Sequence, residues 1–389
     1  MLNIKRLLFA ALAVGMVAAQ CDEDIEIQSD GDVSQLDSCS RFDGSINIKK
    51  GVANIIFPTS VSSITGDLII DGAVGLTGFS APGLKTIGGS FKLNGLTVLS
   101  TLSCPELVSV GDIAWSTLPA LQSLSFTKKV SKANTVLITD TLLTSLEGIN
   151  LVTAERFNIN NNRYLRSVNV ALGNVTDVLI IEANGKGVNA SFPNLKWANN
   201  ITVRDAGDVY FPVLEEVKST AAFVNNTFET VSFPELTQVG ESLAFVSCSR
   251  LTKISANELE EVGGTFQLAN NTKLAVVEDF DKLAVVGGAV DISGVVTNVT
   301  LPSLDDVRGG FNLQSTEDVS CDEFNDLKSS GVIKGDDFTC AGKKETAESK
   351  TGGLGTAGSG STDNESAAAT FGASMLVAFV AGVAAMVAL

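Results

Sequence analysis

Apolar residues between positions 45 and 320 follow no helical period. They come in short alternating runs such as Val262-Gly263-Gly264-Thr265-Phe266-Gln267-Leu268 and Ile87-Gly88-Gly89-Ser90-Phe91-Lys92-Leu93. Alternation with period two marks a short strand with one buried face, and the glycine pair before it reads as a turn into the strand. A second phrase precedes each run: a large apolar residue, proline, any residue, leucine. It stands as Phe192-Pro193-Asn194-Leu195, Phe211-Pro212-Val213-Leu214, Phe233-Pro234-Glu235-Leu236 and Leu301-Pro302-Ser303-Leu304, and without proline as Phe280-Asp281-Lys282-Leu283. A third phrase, Asn-Asn-x-x-Leu, follows the run, as in Asn270-Asn271-Thr272-Lys273-Leu274.

The three phrases recur together about every 22 residues, a solenoid period. One coil cannot bury its own apolar face, so stacked coils must share a continuous core. The expected fold is mainly β: a right-handed parallel β-helix, similar to a leucine-rich repeat, with about 11 coils. Strands of successive coils should pair in parallel, roughly 4.8 Å apart. Aligned on the strand, Asn162, Asn226, Cys248 and Asn271 share one position. There a side chain can hydrogen-bond the turn backbone of stacked coils.

The two ends have a different composition. Residues 1–19 read as a secretory signal peptide: Lys5 and Arg6, then Leu7 to Val17, then the small cleavage site Val17-Ala18-Ala19. Residues 20–340 form the solenoid and its caps, and 341–359 a Gly/Ser/Thr-rich linker. Residues 360–389 end in an uncharged stretch, Phe371 to Leu389. Small residues, a polar spacer and an apolar tail together form a signal for attachment of a glycosylphosphatidylinositol (GPI) lipid. Ser359 is the expected attachment residue, with Gly358, Gly360 and Asn364 as alternatives. The linker also contains Gly353-x-Gly355-x-x-Gly358, but neither strand nor amphipathic helix flanks it, so it is no dinucleotide site.

The oxidising compartment makes the six cysteines a disulfide framework. Cys104 and Cys248 lie six coils apart, roughly 29 Å at the strand spacing, far beyond disulfide reach. They read as buried free thiols. Cys21 and Cys39 flank the first coil, Cys321 and Cys340 the last, where an outermost coil needs a cap. Sequons stand at Asn174, Asn189, Asn200, Asn225, Asn270 and Asn298 in the repeat region, with a seventh at Asn364 near the tail. The first six are the expected glycan sites.

The chain has no histidine and a net charge of −17. Histidine-based triads and histidine metal sites are therefore excluded, and the acidic balance argues against nucleic-acid partners. Carboxylate chemistry remains open. Glu215-Glu216, Glu260-Glu261 and Asp305-Asp306 fall at matching positions, as exposed turn residues of a repeated coil would. No catalytic, metal or cofactor-binding residues are assigned. The outward strand face is the better candidate for binding. It should display Asn158, Asn160, Leu179, Ile181, Thr202, Arg204, Val224, Val246, Gln267, Asp291 and Asn312. Solenoids bind along such extended sheets, and Leu179, Ile181, Val224 and Val246 would make its centre mildly apolar.

Signal peptide, repeat phrases, Cys-paired ends and GPI signal together resemble the fungal GPI-anchored cell-wall organisation family, the sporulation-specific and extracellular-mutant wall proteins. The repeats are similar to the receptor L-domain. The resemblance implies a fold of one or two L-domain halves. It also implies a non-enzymatic surface glycoprotein of the outer plasma membrane and wall, needed for wall organisation and integrity. Implied partners are wall polysaccharide or wall proteins, and the membrane through the lipid. A receptor-like ligand-binding module is the main alternative, and a wall-remodelling glycosidase or transglycosidase a weaker one.

Overall fold

A computed structural model describes residues 21–351. The signal peptide, the GPI-attachment signal and Asn364 lie outside these residues. The chain winds into a parallel β-solenoid of about 13 turns, with 42% strand and 5% helix. That is more than the 11 coils expected, because the outermost turns lack the repeat phrases. The first replaces them with a short 3-10 helix, Asp30–Leu36, and the last with the helix Asp322–Ser329.

Each coil runs through a side strand, the proline-phrase turn, a short strand, the glycine pair and a longer strand. The longer strands stack in parallel register. Thr202 pairs with Ala222, Ala222 with Ala244, Ala244 with Gln267, Gln267 with Asp291, Asp291 with Asn312 and Asn312 with Thr339. One core cluster runs from Ile27 to Ile333 without separating into two halves. Its spine is aromatic: Phe192 stacks on Phe211 at 5.4 Å and Phe223 on Phe245 at 4.8 Å.

A left-handed corner follows the long strand in coil after coil. Asp205, Asn225, Ser247 and Asn270 have φ of 61°, 55°, 57° and 57°, a conformation that favours Asn, Asp and Gly. The next residue turns inward. Asn226 Oδ1 accepts from Ala206 N at 2.8 Å, and its Nδ2 donates to Val203 O at 3.0 Å. Asn271 repeats this with Cys248 N and Phe245 O, and Asn162 with Thr141 N and Ile138 O. Each side chain thus ties a backbone N–H and a backbone C=O of the preceding coil. Asn184, which the sequence alignment did not place in this row, also belongs to it: its Nδ2 donates to Ile159 O.

Gly263-Gly264 and Gly287-Gly288 bend the chain ahead of the long strand, and glycine at this row also serves stacking. A Cβ on Gly240, Gly263 or Gly287 would lie 2.0, 2.1 or 2.2 Å from a carbonyl oxygen of the coil before. Only glycine lets successive backbones approach this closely.

The ends are closed as expected. Cys21 bonds Cys39 and Cys321 bonds Cys340, each pair with Cα atoms 5.8 Å apart. Phe324 and Phe338 cover Phe311 at 4.8 and 5.6 Å between ring centroids, sealing the last coil.

Cys104 and Cys248 are buried and free. Burial pushes the Cys104 thiol up to about 12 and the Cys248 thiol up to about 11. The thiolate is the reactive form, so alkylation at pH 8 should leave both unmodified in the folded chain and label both after unfolding. Native labelling at the rate of free cysteine would contradict their burial. Because both values are raised, the stability these thiols contribute is intact below the unfolded thiol value of about 8.5. It is lost as pH rises toward 11 and beyond.

Candidate functional site

The outward face of the long sheet is built from two rows of side chains. The first runs Ile69, Lys92, Ala114, Leu137, Asn158, Ile180, Thr202, Ala222, Ala244, Gln267, Asp291, Asn312. The second includes Asn94, Ser116, Thr139, Asn160 and Glu182, then Arg204, Val224, Val246, Ala269, Ser293 and Gln314.

Leu179 and Ile181 are corrections. Both are fully buried and in register with Phe157 and Ile159, so they belong to the core. The strand Asn174–Glu182 shifts register between Val175 and Val178. A one-residue slip exchanges the two faces of a strand. Ile180 and Glu182 therefore face outward in that coil. Arg204 does face outward, 3.7 Å from Glu182.

Val224, Val246 and Gln267 lie on the outward side, as do Asp291 and Asn312, but none is open to solvent. Val224 and Val246 pack with Ala244 and Ala269 in a small cluster separate from the core. Gln267 is 1% exposed, Asp291 0% and Asn312 3%. Over Gln267, Asp291 and Asn312 the cover is the chain itself. After Cys340 it doubles back, and residues 348–351 cross the sheet over these side chains. Asn312 Nδ2 donates to Glu348 O at 2.8 Å, and Gln267 Nε2 to Thr351 Oγ1 at 2.8 Å. Asp291 accepts from Ser349 Oγ at 2.5 Å, from Thr351 N at 3.0 Å and from the Thr351 hydroxyl. The sequence shows this only indirectly: at Gln267 the outward row changes from alanine to amide and acid.

Up to Thr202 the face stays half-exposed and mixed in character. Lys92 pairs with Asp71 at 3.4 Å and Arg156 with Asp177 at 2.5 Å. Ser116 donates to Asn94 Oδ1 and Thr139 to Asn160 Oδ1, both at 2.6 Å. Ile69, Leu137 and Ile180 interrupt this polar strip.

Four of the six sequons fall elsewhere on the coil, while Asn174 and Asn200 lie in the long strands Asn174–Glu182 and Trp197–Arg204. Asn189 lies in the side strand Val188–Ser191 and Asn298 in the side strand Asn298–Val299. Asn225 and Asn270 occupy left-handed corners, and all four are exposed. Asn174 and Asn200 are half-buried, and Asn200 Oδ1 accepts from Thr220 N at 3.2 Å. All six stand at residue 174 or later.

The repeated carboxylates follow the coil pattern. Glu216, Glu261 and Asp306 occupy one row of the short strands. Glu215 pairs with Lys196, and Asp306 with Lys334 and Arg308. Hydrogen bonds from Lys334 and Arg308 hold Asp306 below the usual carboxylate range, the opposite of what a general acid needs. Among the described residues no His, Cys, Asp and Glu cluster is suited to hold a metal. Nor do the aromatics form a sugar platform. Trp115 is buried, Lys218 Nζ sits 4.2 Å above the Trp197 ring, and Tyr210 belongs to the side strand Ala206–Tyr210.

No family model and no solved structure matches the chain. Curated relatives do. A cell surface GPI-anchored protein of Arthroderma benhamiae is 40% identical over 384 residues, covering 97% of this chain and 98% of that protein. Protein ecm33 of Aspergillus fumigatus is 39% identical over 350 residues, 89% of this chain and 87% of its own. Cell wall protein ecm33 of Schizosaccharomyces pombe is 31% identical over 346 residues, 87% and 81%. Likeness at this level across nearly the whole solenoid shows that the chain belongs to the fungal Ecm33 family of cell-surface and cell-wall proteins.

Proposed function

We propose that the chain is a lipid-anchored, N-glycosylated protein of the fungal cell surface and wall. Its solenoid acts as a non-enzymatic contact surface for wall polysaccharide or wall proteins. The observation that carries this reading is the likeness to relatives named as GPI-anchored and cell-wall proteins, extending over 97% of the chain. The stacked coils supply a long, stiff, parallel sheet of the kind solenoids use for binding. Between residues 69 and 202 its outward side chains stay half-exposed, and no sequon stands there before Asn174. The paired carboxylates recur at matching positions of the coil, and two of them, Glu215 and Asp306, are engaged with Lys and Arg.

Treatment of cells with phosphatidylinositol-specific phospholipase C tests the anchor. The expected result is release of the protein with a mature C-terminus near Ser359 and glycans on Asn189, Asn225, Asn270 and Asn298. Retention with Leu389 intact would contradict the lipid anchor.

A further inference from the structure

Gln267, Asp291 and Asn312 of the first outward row, together with Gln314 of the second, are both polar and buried. Asp291 is 0% exposed and Gln314 3%. A buried carboxylate needs strong hydrogen-bond partners. Its own row supplies two: Asn312 Nδ2 to Oδ1 at 2.8 Å and Gln267 Nε2 to Oδ2 at 3.3 Å. The crossing segment supplies the rest, through the Ser349 and Thr351 hydroxyls and the Thr351 backbone N–H.

These four residues read that segment largely by its backbone. Glu348 N donates to Gln314 Oε1 at 3.4 Å, and Glu348 O accepts from Asn312. Thr351 O accepts from Gln267 Nε2 at 3.2 Å. Side-chain amides pair N–H and C=O groups of the crossing segment, while a carboxylate accepts from two hydroxyls spaced two residues apart. These are the elements of extended-peptide recognition, backbone pairing for affinity and side-chain contacts for selection. Lys350, between the two hydroxyl residues, is exposed and reaches along the row to Thr339 Oγ1 at 2.7 Å, a contact outside the four residues that hold the hydroxyls and the backbone.

We propose that Gln267, Asp291, Asn312 and Gln314 form a track that binds extended peptide of the pattern Ser-x-Thr. The chain's own residues 348–351 hold it in cis, and its partner is a Ser/Thr-rich segment of a second protein chain. Tethering gives the cis segment an effective concentration on the order of millimolar. A segment in trans therefore gains the track only where the local density of such segments is high or the cis contacts are weakened. This is independent of what the remainder of the face contacts.

The test uses the full secreted chain with both disulfides intact. A fluorescent peptide of residues 345–351 is titrated, followed by anisotropy, into the parent and into the double variant Ser349→Ala/Thr351→Val. The variant should bind saturably and the parent at least about tenfold more weakly, the loss expected when an occupied site must first be vacated. Adding Asp291→Asn or Asn312→Ala to the double variant should weaken binding by about tenfold or more, because each removes an acceptor or donor for the peptide. The proposal is overturned if the double variant takes up no peptide at millimolar concentration. Uptake indifferent to both Asp291→Asn and Asn312→Ala overturns it too, as does a β-glucan oligosaccharide that occupies these residues while the peptide does not. A circular dichroism spectrum matching the parent keeps misfolding out of the comparison.

Discussion

Phe223→Ala is expected to lower the unfolding free energy by about 3–5 kcal/mol, the cost of a large-to-small change in a core that cannot collapse around it. Phe223 is fully buried and sits at the junction of the aromatic spine. Its ring lies 4.8 Å from Phe245, 5.5 Å from Phe233, 6.4 Å from Phe211 and 6.5 Å from Phe228. Coils above and below are held in place by their own neighbours, so relaxation into the cavity is limited and the penalty should fall toward the upper end. The midpoint of urea unfolding measures it. Ile56, 58% exposed, is the matched control, and Ile56→Ala should change stability by less than about 0.5 kcal/mol.

Gly263→Ala should cost about 3 kcal/mol, the upper range for overpacking, although it adds a single methyl group. The new Cβ would lie 2.1 Å from the Gly240 carbonyl oxygen, and backbone cannot move aside as a side-chain tip can. The shift would also propagate, since Gly287 in turn packs 2.2 Å, at the position of its absent Cβ, from the Gly263 carbonyl. Gly31 has only Ser29 Oγ at 3.8 Å from its Cβ position. Gly31→Ala should therefore be neutral within about 0.5 kcal/mol, and the contrast separates stacking contact from the general effect of replacing glycine.

The repeat made most of this fold legible in the sequence. Phe192, Phe211 and Phe233 fixed the period through their proline phrases, and the period fixed the stacked core and the parallel sheet. Six-coil separation set Cys104 and Cys248 apart from the terminal pairs. What escaped has physical reasons. The bulge in the strand Asn174–Glu182 inverts the parity of Leu179 and Ile181, and alternation counted along one strand carries no record of an inserted residue. The last coil is closed by Phe324 and Phe338 and the first by Val33 and Leu36 of the 3-10 helix in place of the phrases, so a count of phrases misses them. Residues 341–351 have the composition of a linker, and only the stacked register of Gln267, Asp291 and Asn312 shows that part of it docks. The glycine pairs were visible as turns, but their part in close approach was legible only once the coils were stacked.

On the proposed function, the half-exposed part of the outward sheet is the working surface of a cell-surface solenoid. The most direct test expresses Lys92→Glu/Leu137→Glu/Ile180→Glu in cells lacking the endogenous copy and scores survival under wall stress, with secretion and surface level matched to the parent. All three side chains are half-buried on the outward row. Glu258 and Lys282 form an ion pair at 2.6 Å away from the long sheet, and Glu258→Lys/Lys282→Glu serves as the control. Stress sensitivity approaching that of the deletion is expected for the face variant, and full rescue for the control. Full rescue by a correctly displayed face variant would contradict that function.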